Sequence, residues 1–273
     1  MLKKTGCIMA ALLAACVFMT GCAKKETSVL AKIKAAGKMI VYTNPEFPPY
    51  EYLGANKEIV GAEMDLVHKI AEKIGVKAEI VSSEFDAILM TVKTGKADIG
   101  ASGFTINEER KQQVDFSVPF VVSVQYLVLP ENSPIKAAED LAGKRIGGQN
   151  GTTGFLMCED AVNKGILKGT GAEMKSYNNA PDAVVAMKEG KLDAVVIDDL
   201  VAKSLAAKNP GFKAIELVKR DGKGLDAAEE FGIMVAKGNE DLLAIINEVI
   251  EECKKNNFIN DALLKHNDAA KAE

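Results

Sequence analysis

The chain has 273 residues, 48% of them apolar, enough for a sizeable core. Its 34 basic and 38 acidic side chains give a formal net charge of −4, which argues against a nucleic acid as partner. With 2 histidines, 5 cysteines and neither C-x-x-C nor H-E-x-x-H spacing, no metal site and no cofactor are expected.

The N-terminus reads as an export leader. Lys3 and Lys4 precede an unbroken apolar run, Ile8 to Met19, of signal-peptide length and too short to cross a bilayer comfortably. Thr20 and Gly21 then lead into Cys22. A small-residue ending before a cysteine resembles the bacterial lipobox, which implies a leader over 1–22 and a lipidated Cys22. Leu13-Ala14-Ala15-Cys16 fits the same pattern, but apolar Val17-Phe18-Met19 follows it, whereas polar Lys24-Lys25-Glu26-Thr27-Ser28 follows Cys22. The bland alternative is an ordinary signal peptide with chance cysteines. Two acyl chains on one cysteine suffice for stable anchoring. No later stretch has about twenty unbroken apolar residues, so the remaining body, about 250 residues, suits one large or two small domains.

Beyond the leader, 23–37 is a tether ending in a short helix, Ser28–Ala36. Strands and helices then alternate. Lys38–Thr43 is a strand and Glu63–Ile74 an amphipathic helix, with Met64, Val67, Ile70, Ala71 and Ile74 at helical spacing. Val76–Val81 is a strand, Asp86–Thr94 a helix and Asp98–Ala101 a buried strand. In the second half Lys144–Gly148, Glu173–Tyr177 and Asp193–Ile197 are strands. Thr152–Asn163, Pro181–Glu189 and Asn239–Asn256 are helices, Pro181 falling where a first helical turn tolerates proline. This alternation is the signature of α/β sheets covered on both faces. His68 and His266 fall in helical patterns and are expected to be solvated. Cys158 and Cys253 lie far apart, in different predicted lobes, and no disulfide is expected between them.

One phrase occurs twice. Lys93-Thr94-Gly95-Lys96-Ala97-Asp98 matches Lys188-Glu189-Gly190-Lys191-Leu192-Asp193, each after a helix and before an apolar strand. A common helix-turn-strand phrase met twice by chance is one explanation; two lobes of similar architecture is the other. Ligands of open α/β sheets bind beyond the carboxyl ends of strands. Five residues past each aspartate stand Gly103 and Asp198, and two such ends facing each other would make a cleft suited to a small molecule.

The polar residues near those ends fit an amino acid. Arg110, in Ser102-Gly103-Phe104-Thr105-Ile106-Asn107-Glu108-Glu109-Arg110, supplies a planar cationic fork for a carboxylate. Thr105 offers a hydroxyl, although an exposed charged turn explains Glu108 to Lys111 equally. Gly147 to Gly154, with Gln149, Thr152 and Thr153, opens a helix whose free N–H groups favour an anion. It lacks the Gly-Lys-Ser/Thr ending of a phosphate loop. Asp198 can pair with an ammonium group, helix capping suiting Asp199 better. Pro45-Glu46-Phe47-Pro48-Pro49-Tyr50 is a rigid loop that can present an aromatic face, and Phe85 can present another; burial in a core is the bland alternative for both.

These stretches together resemble the extracellular solute-binding proteins of polar-amino-acid importers. The resemblance is carried by Phe47-Pro48-Pro49-Tyr50, Gly61-Ala62-Glu63-Met64-Asp65-Leu66, Lys93–Asp98, Gly103–Arg110, Val114-Asp115-Phe116-Ser117, Gln149–Gly154 and Leu192–Asp198. It implies a two-lobed α/β fold of the type II periplasmic-binding-protein kind. The ligand then lies in a cleft between lobes joined by two crossing strands, near Val121–Tyr126 and Ala227–Phe231. Lobe one would comprise 38–122 and 231–265, lobe two 127–229, and 266–273 a C-terminal tail. Arg110 would clamp the ligand carboxylate with help from the Thr105 and Thr152 hydroxyls. Gly103 and Asp198 would accept from its ammonium. Phe47 and Phe85 would sandwich its side chain beside Asn44, Ser102 and Gln149. Asn107 stands where the family commonly has threonine.

The resemblance implies a monomeric, exported and lipid-anchored importer component, not an enzyme. It would deliver a free amino acid to a permease and, through it, an ATPase. Neutral Asn44, Ser102 and Gln149 suggest a polar uncharged ligand. Two other functions compete: a lyase on the same fold, of the cyclohexadienyl or arogenate dehydratase kind, with Glu46 as general acid, and a ligand-sensing module.

Overall fold

The computed structural model describes residues 28–225 and 228–272. The expected leader with Cys22, residues 23–27 of the tether and Ala227 lie outside the described residues.

Two five-stranded sheets organise the chain. In the first, Lys77–Ser82, Lys38–Thr43 and Ile99–Gly100 run parallel. Met234–Ala236 lies antiparallel between Ile99–Gly100 and the edge strand Val114–Phe116. In the second, Glu173–Tyr177, Arg145–Gln149 and Ala194–Asp198 run parallel, and Gln125–Pro130 and Phe212–Glu216 complete it antiparallel. All five residues of Ala194–Asp198 are buried, as befits a parallel strand covered on both faces. The first sheet therefore draws a strand from near the end of the chain, which makes its lobe discontinuous. Between the sheets Val121–Ser123 pairs antiparallel with Glu229–Phe231. The outgoing crossing is shorter than expected, because Gln125 and Tyr126 already belong to the second sheet.

Local signals account for most helices. Ser28 caps Val29–Ala36 by accepting from the Ala31 N–H at 3.2 Å. Ala62–Ile74 ends at Gly75, in the left-handed region at φ 86°. Its Met64, Leu66, Val67 and Ile70 are buried, each large apolar side chain contributing about 1.5–3 kcal/mol. The repeated phrase forms the same device in both lobes. Gly95 and Gly190 turn the chain at φ 71° and 70°. Asp98 then accepts from the Ile40 N–H at 2.7 Å, and Asp193 from the Arg145 N–H at 2.8 Å. Each aspartate ties its strand to the neighbouring one.

Several expectations need correction. Residues 266–272 are not a tail but the end of a helix, Phe258–Ala272, packed on Ala62–Ile74. His266 is accordingly buried rather than solvated. Its Nδ1 lies 3.0 Å from the Tyr52 hydroxyl and its Nε2 2.9 Å from Asp65. His68 is exposed. Asp198 rather than Asp199 stands at the cap position of the helix Asp199–Lys208, and its side chain makes no capping bond. Cys158 and Cys253 are buried free thiols. A small sheet of Glu46–Phe47, Glu51–Leu53 and Ile59–Val60 has strands too short to show a sequence period.

Candidate functional site

The eleven residues singled out in the sequence meet in one place. Asn44, Phe47, Phe85, Ser102, Gly103, Thr105 and Arg110 come from the first lobe, and Gln149, Thr152, Thr153 and Asp198 from the second. Together they line one narrow cleft between the two sheets. Each arrives at or just beyond a strand's carboxyl end, or at a helix start that follows one.

On the first side, the chain leaves Ile99–Gly100 through Ser102 and Gly103. Gly103 has φ 58°, and a Cβ there would come within 2.6 Å of the Phe47 ring, so only glycine suits the turn. Asn107 caps the short helix Glu108–Lys111, its side chain accepting from the Arg110 N–H at 2.9 Å. Asparagine serves there as threonine would, so the departure at Asn107 keeps the cap. That cap fixes Arg110, which is 8% exposed. Its guanidinium donates to the Thr105 carbonyl at 2.8 Å and the Gly151 carbonyl at 3.0 Å. These bonds take two of its five N–H groups. The guanidinium also lies over the Phe104 and Phe85 rings, 5.1 and 5.7 Å from their centroids. Burial lowers its pKa to about 10, with Glu229 and Asp198 pulling the other way, so it stays charged at neutral pH.

On the second side, Arg145–Gln149 delivers Gln149. Its Nε2 donates across the cleft to the Asn44 Oδ1 at 3.0 Å and to the Asn178 carbonyl at 3.1 Å. Thr152 caps the helix Thr153–Asn163, accepting from the Phe155 N–H at 3.3 Å and donating to the Gln149 carbonyl at 2.8 Å. That hydroxyl's single proton is committed inside the protein. Asp198, 4% exposed, accepts from the Ser123 hydroxyl at 2.9 Å and the Gln125 Nε2 at 3.2 Å. Burial, then the charge of Glu229, raises its pKa to about 8. An acid held in this state is poised for a cation, whose arrival would release its proton.

The two aromatic residues of the site each pack on a neighbouring ring. Phe85 stacks on Phe104, with centroids 4.3 Å apart, and Phe47 stacks on Tyr50 at 5.4 Å. Both Phe47 and Phe85 still border the cleft. Glu46 borders a separate groove with Pro45, Pro48 and Leu53. Its pKa is raised by partial burial and then by Asp182 and Glu84.

Sequence reasoning passed over three features. Phe104 backs the guanidinium. Glu51 and Glu63 form a buried carboxyl pair under the first lobe's wall. Glu51 accepts from the Ser102 hydroxyl at 3.1 Å and Glu63 from the Gly103 N–H at 2.7 Å. Burial raises Glu63 to about 7 and Glu51 well above the carboxylate range, their mutual interaction adding to the latter. Glu229 stands between Asp198 and the threonines. Glu63 lies in a quoted motif and Glu229 in an expected crossing strand, but neither has a spacing that marks a role.

Comparisons with known proteins agree on a family. Residues 39–268 match the model described as bacterial extracellular solute-binding proteins, family 3. The chain is 32% identical over 254 residues to a probable histidine-binding protein of Campylobacter jejuni, covering 92% of this chain and 93% of that one. It is 29% identical over 232 residues to the L-cystine-binding protein TcyJ of Escherichia coli, covering 84% and 82%. Among solved structures it superposes on the amino acid ABC transporter substrate-binding protein AbpA of Streptococcus pneumoniae, bound to L-arginine. That superposition has a TM-score of 0.81 at 26% identity and covers 88% of this chain and 98% of that one.

Proposed function

The chain belongs to the bacterial extracellular solute-binding proteins, family 3, and from that premise we propose that it captures one free polar L-amino acid and presents it to an ABC importer. A single observation carries the reading: a buried guanidinium, Arg110, and a buried acid, Asp198, border one cleft from different lobes. A zwitterion has the two charges that such a pair can hold. In a desolvated cleft each charge-assisted bond counts for more than in water.

The mechanism follows from the connectivity. The two crossing strands, Val121–Ser123 and Glu229–Phe231, are the hinge. The lobes they join are 38–122 with 231–265, extended by the helix to 272, and 127–229. A ligand touching Arg110 on one side and Asp198 on the other binds the closed form better than the open form. By that difference alone it shifts the population toward closure. Closure also forms bonds between lobes, among them Gln149 to Asn44 and Asn150 to Asp86 at 2.8 Å. The closed surface is then the one a permease, coupled to its ATPase, recognises.

Asn44, Ser102 and Gln149 make a neutral polar lining, which favours a polar uncharged side chain. The family is extracellular, and the lipid anchor at Cys22 with a monomeric body completes the reading. A thermal-shift panel of the twenty L-amino acids and L-cystine against residues 23–273 tests it. One or a few should raise Tm by the linkage expected of a native-state ligand, about 2.7 kcal/mol at 100 times Kd. No response from any of them contradicts it. A tethered protein that binds amino acids but is released into the medium unlipidated would remove only the anchor.

A further inference from the structure

Glu229 occupies a position that no motif marks. It lies on the returning hinge strand, directly opposite Ser123 in the antiparallel register, and is 8% exposed. One carboxylate oxygen, Oε2, accepts from the Thr105 hydroxyl at 2.6 Å and from the Thr153 hydroxyl at 2.6 Å. The other, Oε1, accepts from the Gln125 Nε2 at 3.2 Å, and the same amide nitrogen donates to Asp198 Oδ1. Thr105 comes from one lobe, Thr153 from the other and Glu229 from the hinge.

The bonding capacity of these groups has a consequence. An ionised carboxylate only accepts, and a threonine hydroxyl has one proton and two lone pairs. Both hydroxyls donate to Oε2 at 2.6 Å, which commits their protons to Glu229. The oxygens of Thr105 and Thr153, 3.2 Å apart, are left presenting lone pairs to the cleft. They are then acceptors, unsuited to hydrogen-bond a ligand carboxylate and suited to an ammonium. Asp198 is also an acceptor when ionised. Donors come from the Arg110 guanidinium and the backbone N–H groups at the helix start.

We propose that Glu229 is a specificity-determining residue: by orienting the Thr105 and Thr153 hydroxyls it makes, with Asp198, an acceptor wall that demands an α-ammonium group on the ligand. The inference rests on the amino-acid-capture reading and adds to it the group that rejects carboxylates lacking an amine. Such a ligand would leave Asp198, Thr105 and Thr153 facing the cleft without a donor. Sites built around a polar ligand group reject analogues lacking it by roughly 10⁴-fold.

The test compares two amino acids with their deaminated counterparts: L-arginine with 5-guanidinopentanoate, and L-glutamine with glutaramate. Calorimetric Kd values are taken for the wild type, Glu229→Gln and Glu229→Asp. The wild type should prefer the amino acid over its deaminated counterpart by at least about 10²-fold. Glu229→Gln, which can donate to the threonines and carries no charge, should cut that ratio at least about tenfold, mainly by weakening the amino acid. Glu229→Asp keeps the charge but withdraws the oxygen, and should fall between; if Glu229→Gln does not fold, the aspartate variant decides alone. A ratio unchanged within about threefold in the folded variants overturns the assignment while leaving amino-acid capture intact. Equal weakening of both ligands points to a structural role and overturns it as well. A wild type that binds neither amino acid removes both this assignment and the capture reading for these ligands.

Discussion

The two copies of the helix-Gly-Lys-x-Asp-strand phrase are alike as scaffold and unlike as chemistry. Each turns at a glycine with φ near 70° and each aspartate accepts from the backbone of the neighbouring strand. Beyond that point they diverge. The first copy's strand ends after two residues and runs through Ser102 and Gly103 to a cap that fixes Arg110. The second copy's strand runs five residues and ends directly on Asp198. One lobe thus contributes the cation and the other the acid. Neither lobe alone can hold both ends of a zwitterion, and that asymmetry on a repeated frame is what makes closure necessary for tight binding.

Breaking the cationic side should have the largest effect. Arg110→Ala removes the one cation that borders the cleft among the described residues and leaves a bound carboxylate desolvated without its partner, a loss of about 2–5 kcal/mol. Kd measured by calorimetry should weaken roughly 30- to 4,000-fold, and a variant within threefold of wild type would refute the clamp.

The acidic side should respond next. Asp198→Asn keeps shape and loses charge, and Kd should weaken about 10- to 100-fold. A near-normal Kd in this variant would move the ammonium site elsewhere.

The pH response sharpens the contrast, because of the two clamp groups, Arg110 and Asp198, Asp198 is the one that titrates near neutrality. Asp198, with its pKa raised to about 8, holds its proton in the ligand-free fold at pH 6 and must release it to solvent when an ammonium binds. Affinity should therefore rise with pH between about 6 and 8, by at most roughly tenfold per unit, and level off above. The ligand-free protein should show the opposite trend. A raised folded-state pKa stabilises fully below the unfolded value near 4, and that contribution is lost as pH climbs toward 8. Glu63, raised to about 7, acts in the same direction. Proton release on binding, measured in buffers of different ionisation enthalpy, should vanish in large part in Asp198→Asn.

The smallest effect belongs to the scaffold. Gly95→Ala and Gly190→Ala both place a Cβ at positive φ with open space around it, costing about 1–2 kcal/mol each. Tm should fall similarly in both and Kd should not change. Unequal losses would show that the two turns are not equivalent.

What was legible in the sequence follows from which forces act locally. Ala62–Ile74 has four turns of apolar spacing and a glycine stop, so its period and its end are both visible. The cleft residues were visible because they follow strand ends, where backbone geometry leaves side chains free for chemistry. The helix Phe258–Ala272 was hidden because its buried stripe, Ile259, Ala262, His266 and Ala270, includes a histidine whose partners, Tyr52 and Asp65, lie two hundred residues away. Glu229 was hidden for a similar reason. Its place opposite Ser123 depends on the register of two short strands, and no local spacing encodes that register. The carboxyl pair of Glu51 and Glu63 exists only once the small sheet folds over Ala62–Ile74.

The most direct test is a crystal structure of residues 23–273 with the amino acid that gives the largest thermal shift. The ligand carboxylate should lie within about 3 Å of the Arg110 guanidinium and its ammonium within about 3 Å of Asp198. A ligand bound outside this cleft, or inside it with its two ends reversed, would contradict the account.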